Sequence, residues 1–303
     1  MIDDRDYVGY GADPPNPQWP GGARIAVNIN LNFEGGGERS MMHGDGVSEG
    51  MLNDIGFPSL PGLRSPMVES VFEYGSRVGG WRLLRLFRRF GVKVCLLAVA
   101  KAAERNPEIT RAFVEEGHEI VSHGYRWLDY QTMPEERERE HVRLGIETIE
   151  RIAGVRPVGW MTGRPSANTR RLHLELGGFL YDRDSLNDEL PYWVSVGSAR
   201  HLIIPYSFET NDNRFDENRG FSTGDDYVAG IARPADRPPR PDHWVRQVSR
   251  SRHSPRPRVD LHRTRNRGAL AARPSAVIGP LCGHETHATH TCPDIRHRWE
   301  SGI

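Results

Sequence analysis

Glu34 and His123 each stand where an apolar run stops beside glycine, in Asn32-Phe33-Glu34-Gly35-Gly36-Gly37-Glu38 and in Ile120-Val121-Ser122-His123-Gly124-Tyr125-Arg126-Trp127. Barrel enzymes present catalytic groups in this way, at the C-terminal rim of their strands. A carboxylate in a tight apolar pocket, or an imidazole already near neutrality, suits proton transfer at pH 7. Hydrolysis is therefore the first chemistry to expect of the pair.

The elements around them set the frame. Ile25 to Phe33 alternates apolar with small or polar residues and predicts a strand ending at Glu34. Gly35 to Gly62 is rich in glycine and acids without periodicity and predicts a long rim loop, which inside a compact domain is usually functional. Trp81 to Phe90 has one apolar face and is closed by Gly91, so it predicts a helix, followed by a strand over Val92 to Val99. Asn106-Pro107 opens another helix running to Gly117, and His118 to Ser122 is the strand that delivers His123 to the rim. Pro134 to Ala153 carries Val142, Ile146, Ile149 and Ile152 on one face of a charged helix. Pro157 to Met161, Phe179 to Asp182 and Leu202 to Tyr206 predict further strands, with a helix from Asn168 to Gly177. Strands alternating with helices imply an α/β fold with a parallel sheet or barrel.

Formal net charge is zero over 303 residues, which conceals an asymmetry. Residues 1–227 hold 26 basic and 34 acidic side chains, a net of −8, whereas residues 228–303 hold 14 and 6, a net of +8. The acidic start lacks the features of a secretory signal, and no apolar run reaches membrane-span length, so a cytoplasmic protein without membrane contact is expected. Three cysteines without a signal give no disulfide framework. Cys95, inside an apolar strand, reads as an inert core residue.

The two strand-end motifs, with Met161-Thr162-Gly163-Arg164-Pro165, Gly177-Gly178-Phe179-Leu180-Tyr181-Asp182 and Leu190-Pro191-Tyr192-Trp193, resemble the polysaccharide deacetylase (NodB-homology) superfamily. The body is most similar to the branch that contains metal-independent allantoinase and its chitin-deacetylase-like relatives. The resemblance implies a distorted (β/α)7 barrel over residues 1–227. It also implies hydrolysis of a nonpeptide carbon–nitrogen bond, with deacetylation of a sugar or small molecule as the alternative. A second alternative is an impaired barrel that only binds. Metal-dependent members place an Asp-Asp pair and His-x-x-x-His where this chain has Glu34-Gly35 and His123-x-x-x-Trp127. With one histidine left of three ligands, a catalytic zinc is not expected there, and no metal or other cofactor is expected at all.

Opening an amide then requires an activated water, oxyanion stabilisation and a proton for the leaving nitrogen. Glu34 or His123 is expected as general base. Asp129 is expected to orient the imidazole or exchange protons with it, and Arg164 to hold a carbonyl oxygen through paired donors. Trp127 and Trp160 are expected as walls against a flat substrate, with Tyr125 and Asp184 completing the pocket. Each has a plainer alternative: Glu34 as a solvated strand-end acid, His123 as a structural histidine, Asp129 as a turn residue, Arg164 as a surface ion-pair partner. His43, His118, His141, His173 and His201 read as surface or structural.

Residues 228–303 form a second region, rich in Arg, Pro and His, with 12 of 76 residues Leu, Ile, Val, Phe or Met. That is too few to build a core, and no strand or helix is legible. It reads as an atypical, disordered or frameshifted tail that leaves the barrel incomplete at its C-terminus. Cys282-x-His284-x-x-His287 fits no zinc-finger spacing, and the positive charge comes without aromatic interleaving, so no nucleic-acid partner is expected. The resemblance implies a small-molecule substrate and self-association into a homo-oligomer.

Overall fold

The computed structural model describes residues 5–51, 56, 58–215, 221, 223–228 and 277–278. Nearly all of the 228–303 region, including Cys282 and Cys292, lies outside the described residues. The chain divides into two compact units, Met1–Ser207 with Val277–Ile303, and Phe208–Ala276. All of the candidate chemistry belongs to the first. The described part of the second holds a short 3₁₀ turn, Asp212–Phe215, and a cluster of Phe215, Phe221 and Tyr227 rings.

The first unit is a distorted α/β barrel-like fold. Its strands are β1 (Ala26–Val27), β2 (Asn30–Phe33), β3 (Cys95–Ala98), β4 (Glu119–Ser122), β5 (Gly159–Trp160), β6 (Tyr181–Asp182), β7 (Tyr192–Val196), β8 (Ala199–Ile203) and β9 (Val277–Ile278). Seven form one sheet in the order β2-β3-β4-β5-β6-β8-β7, parallel except for the antiparallel β7–β8 hairpin. The helices are α1 (Pro66–Tyr74), α2 (Gly80–Phe90), α3 (Ala100–Arg105), α4 (Pro107–Glu115), α5 (Glu135–Ala153) and α6 (Thr169–Leu176).

Several sequence expectations are redrawn. The run from Ile25 to Phe33 breaks at Asn28-Ile29, leaving β1 outside the main sheet and paired in parallel with β9. A strand therefore exists in the region where none was legible. The helix ending at Gly91 is preceded by α1 and joined to it through a π-helical turn at Gly75–Gly79. Gly91 has φ 63° and its N–H reaches back to the Arg88 and Phe87 carbonyls, the left-handed closure its position predicts.

Register fixes the height of every rim residue. Phe33 pairs with Ala98, Ala98 with Ser122, Ser122 with Trp160, Trp160 with Asp182 and Asp182 with Ile203. Side chains alternate across the sheet, so it separates two apolar layers. Cys95, Leu97, Val121, Met161, Tyr181 and Ile204 form one. On the other face the helices pack, with Ile109, Phe113 and Ile149 against β3 and β4 and with Val142, Ile146 and Leu172 around Trp160. Cys95 is fully buried, and burial, reinforced by the charge of Glu119, pushes its thiol up to about 11, which makes it unreactive.

Candidate active site and metal centre

Glu34 and His123 each sit one residue beyond that common row, on β2 and β4, with β3 between them. Strands are spaced by about 4.8 Å, so only long side chains leaning inward close the gap. Glu34 Oε1 and His123 Nε2 meet at 3.0 Å. His123 Nδ1 faces the Met161 carbonyl oxygen, which only accepts, so Nδ1 carries a proton and Nε2 is the nitrogen turned to the carboxylate. Burial pulls the imidazole pKa down, but the Glu34 hydrogen bond and charge, the Met161 carbonyl and the Asp184 charge outweigh it. The net shift is upward. Glu34 keeps 17% of its side-chain exposure against 3% for His123, so Glu34 is the member that solvent reaches.

Asp184, just beyond β6, holds the neighbouring loop. Its carboxylate accepts from Thr162 N at 3.0 Å, Gly163 N at 2.8 Å and Thr162 Oγ1 at 3.0 Å. Burial, only partly offset by those bonds, raises its pKa. The same loop carries Arg164, whose guanidinium lies 4.1 Å from the Trp127 ring centroid. One Arg164 terminal nitrogen is buried without a hydrogen-bond partner. Trp127 packs on Phe72, with ring centroids 6.1 Å apart. Gly35 is pressed by the same helix: a Cβ there would stand 2.3 Å from the Phe72 carbonyl oxygen.

Three predicted site residues are placed elsewhere. Asp129 accepts from Gln131 N at 2.9 Å, a local turn bond, and His123 is oriented by Glu34 and Met161 instead. Trp160 is fully buried and stacked on His173, with ring centroids 5.5 Å apart, on the helix side of β5. Tyr125 packs edge-on against His141 of α5 at 5.5 Å.

A second constellation was not legible in the sequence. His173 of α6, Asp182 of β6 and His201 of β8 are all buried, and their ligand-type atoms lie within 4.8 Å of one another. Asp182 turns to the face opposite Tyr181, and His201 to the face opposite Leu202, which puts both toward α6. His173 Nε2 and His201 Nε2 stand 3.5 and 3.4 Å from Asp182 Oδ2. Those separations are long for N–H···O bonds, and both nitrogens are buried without a hydrogen-bond partner. A tetrahedral ion bound at about 2.0–2.1 Å has ligand-to-ligand edges of roughly 3.4 Å, so two imidazoles and a carboxylate fit a divalent metal. Burial lowers the His173 pKa, keeping it a neutral donor. The Asp182 carboxylate stays ionised because the nearby His173 and His201 nitrogens and the bonded Arg170 guanidinium together overcome burial. Arg170 holds it from α6 at 2.7 and 3.1 Å. A cleft of about 210 Å³ opens over Arg170, His173, Asp182 and Asp184. Helix α6 is fixed in turn by Glu138 of α5, fully buried, which accepts from Ser166 Oγ at 2.6 Å and from Thr169 Oγ1.

This donor set corrects the expectation of a metal-independent, allantoinase-like hydrolase. Gly35 and Trp127, behind β2 and β4, supply no ligands. The structure assembles them on α6, β6 and β8.

A parallel-stranded barrel with an acid–imidazole pair on its rim and a His-His-Asp donor set beside a cleft defines a hydrolase of amide carbon–nitrogen bonds. Residues 62–177 match the family described as Polysaccharide deacetylase. A Schizosaccharomyces pombe protein carrying the polysaccharide deacetylase name is 38% identical over 248 residues, 75% of this chain and 77% of the relative. A crystal structure from Pseudomonas aeruginosa PAO1, described as a probable polysaccharide deacetylase, is 51% identical with TM-score 0.74, covering 77% of this chain and 79% of that one. The crystal structure of Puue allantoinase is 49% identical with TM-score 0.75, covering 78% and 79%. The chain belongs to the polysaccharide deacetylase family. Among the described residues no helix is long and apolar enough to cross a membrane.

Proposed function

We propose that the chain is a metal-binding deacetylase or amidase acting on a small N-acylated substrate, with Glu34 and His123 as its proton-transfer pair. The observation that carries this reading is the 3.0 Å contact between a partly exposed carboxylate and a buried imidazole whose other nitrogen is already committed to Met161. Glu34 takes the proton of the attacking water. His123, its Nδ1–H fixed on the Met161 carbonyl, shares the proton at Nε2 and delivers it toward the leaving nitrogen. The unpaired Arg164 nitrogen, held flat by Trp127, suits an oxyanion or carbonyl oxygen. Asp184 keeps residues 162–164 in place.

His173, Asp182 and His201 would hold the metal. When bound, a divalent ion there supplies a fixed positive charge and Lewis acidity at the cleft. The polysaccharide deacetylase names of the two relatives support an N-acetylated sugar as the substrate class. Residues 1–227 form the catalytic region in this reading, and the protein self-associates.

The test is acetate release from N-acetylglucosamine and its short oligomers, before and after chelation and after readdition of zinc or cobalt. Release that chelator abolishes and metal restores supports the reading. Release indifferent to chelator, or none with any metal, overturns it.

A further inference from the structure

The loop behind Glu34 and the segment behind His123 are fastened by one side chain. Arg126, three residues past His123, is nine-tenths buried. Its NH1 donates to Asp45 Oδ1 at 2.9 Å, and its NH2 to Asp45 Oδ2 at 2.6 Å and to the Glu38 carbonyl at 2.8 Å. Asp45 also accepts from Ser40 N at 2.8 Å, so its carboxylate closes the loop on itself. The loop is stitched at two further points. Trp127 N donates to the Gly37 carbonyl at 2.9 Å, and Gly37 N to the carbonyl of Glu34 itself at 2.8 Å.

His43 completes the fastening. Its Nε2 lies 2.8 Å from an Arg105 nitrogen, and its Nδ1 lies 2.9 Å from Arg126 NH2 and 3.2 Å from the Glu38 carbonyl oxygen. Two guanidiniums therefore flank a neutral imidazole, and α3, which carries Arg105, is joined to the same loop.

No strand bond ties β2 to β4 directly, because β3 separates them. We propose that Arg126 is a positioning residue for the proton-transfer pair: by clamping the Glu38–Asp45 loop to the His123 segment it holds Glu34 at bonding distance from the imidazole. A bidentate guanidinium–carboxylate pair suits this role because it fixes orientation as well as distance. The proposal rests on the assignment of Glu34 and His123 under the proposed function, but its test does not depend on any substrate.

The experiment is an NMR titration of the His123 imidazole in the full chain, in wild type and in Arg126→Met, Arg126→Lys and Asp45→Asn. The groups facing His123 are Glu34, Asp184 and the Met161 carbonyl. In wild type the ring titrates above its ordinary 6.5. In Arg126→Met the titration falls back below that value as Glu34 drifts away and burial dominates. Arg126→Lys restores part of the shift, and Asp45→Asn, which keeps the bond to the Glu38 carbonyl, lies between and serves if Arg126→Met does not fold. On a turned-over substrate kcat falls about tenfold or more in Arg126→Met while KM stays within about twofold. An unmoved His123 titration in folded variants, with only a lowered melting temperature, would show a structural role and overturn the proposal. Absence of acetate release by wild type bears on the deacetylase reading alone, and the titration still decides this one.

Discussion

Glu34 Oε1 and His123 Nε2 meet at 3.0 Å across a strand, β3, that contributes neither group. The pair exists because Phe33, Ala98 and Ser122 share one row, so the residues that follow Phe33 and Ser122 emerge at one height. Register, set by apolar packing on both faces, thus sets the geometry of the pair.

Replacing Glu34 by Gln keeps the volume and removes the charge. Acetate release is expected to fall about 10²- to 10⁴-fold, the usual weight of a general base. Stability changes too. His123 is raised in the fold, so its pairing stabilises fully below the ordinary 6.5 and is lost as pH rises through the raised value. Denaturation measured from pH 6 to 9 should show that downward slope in wild type and lack it in Glu34→Gln. A slope that persists in the variant assigns it to another group.

The metal reading makes a stoichiometric demand. Metal-stripped protein should take up one equivalent of zinc or cobalt and melt at higher temperature. At free metal about 100-fold above Kd the gain is about 2.7 kcal/mol. His201→Ala should lose both uptake and shift, while Cys95→Ala should keep them. Calorimetry showing no saturable site would sink the assignment.

His141 gives the fold an acid limit. Burial first, then the charges of Arg137 and Arg126, hold its pKa down to about 4. A histidine kept neutral in the fold stabilises above its ordinary 6.5, and the contribution is lost as pH falls from there to about 4. The loss is on the order of 3 kcal/mol at most, from roughly 1.4 kcal/mol per pH unit. His141→Phe keeps the ring against Tyr125 and Tyr130 and removes the proton. Its melting temperature should be flatter than wild type between pH 4 and 6.5, and equal sensitivity would clear His141.

Gly35 tests how tightly α1 closes on the rim. Alanine there places a Cβ 2.3 Å from the Phe72 carbonyl oxygen, a backbone atom that moves only with its helix. Gly35→Ala should cost about 1–3 kcal/mol in urea denaturation. A neutral result would mean that α1 yields freely at that point.

The strand ends of β2 and β4 were legible because an apolar run halting at a charged residue beside glycine is a local signal. The charged helix α5 was legible for the same reason, its apolar face recurring within one segment. Closeness in sequence to His123 does not place Asp129 beside it in space, and its carboxylate closes a turn on Gln131 instead. The placement of Trp160 and Tyr125 was not legible, because ring type says nothing about which sheet face a residue takes and a residue at a strand end can face either way. Strand β7 stayed hidden because it is only half-buried and antiparallel, so it lacks the continuous apolar text of its parallel neighbours. The metal donors were least legible of all. His173 comes from a helix and His201 from a hairpin, and only the alternation of β6 and β8 turns them to a common point.

Strand β6 is two residues long, and its two side chains face opposite worlds: Tyr181 the barrel interior, Asp182 the layer beneath α6. The three metal-type donors and the Glu34–His123 pair therefore belong to different layers of one sheet, joined through its backbone. Helix α6 could be exchanged as a cassette, recruiting other donors to Asp182, while Glu34 and His123 keep their partners. Divergence within such a fold can then proceed one layer at a time.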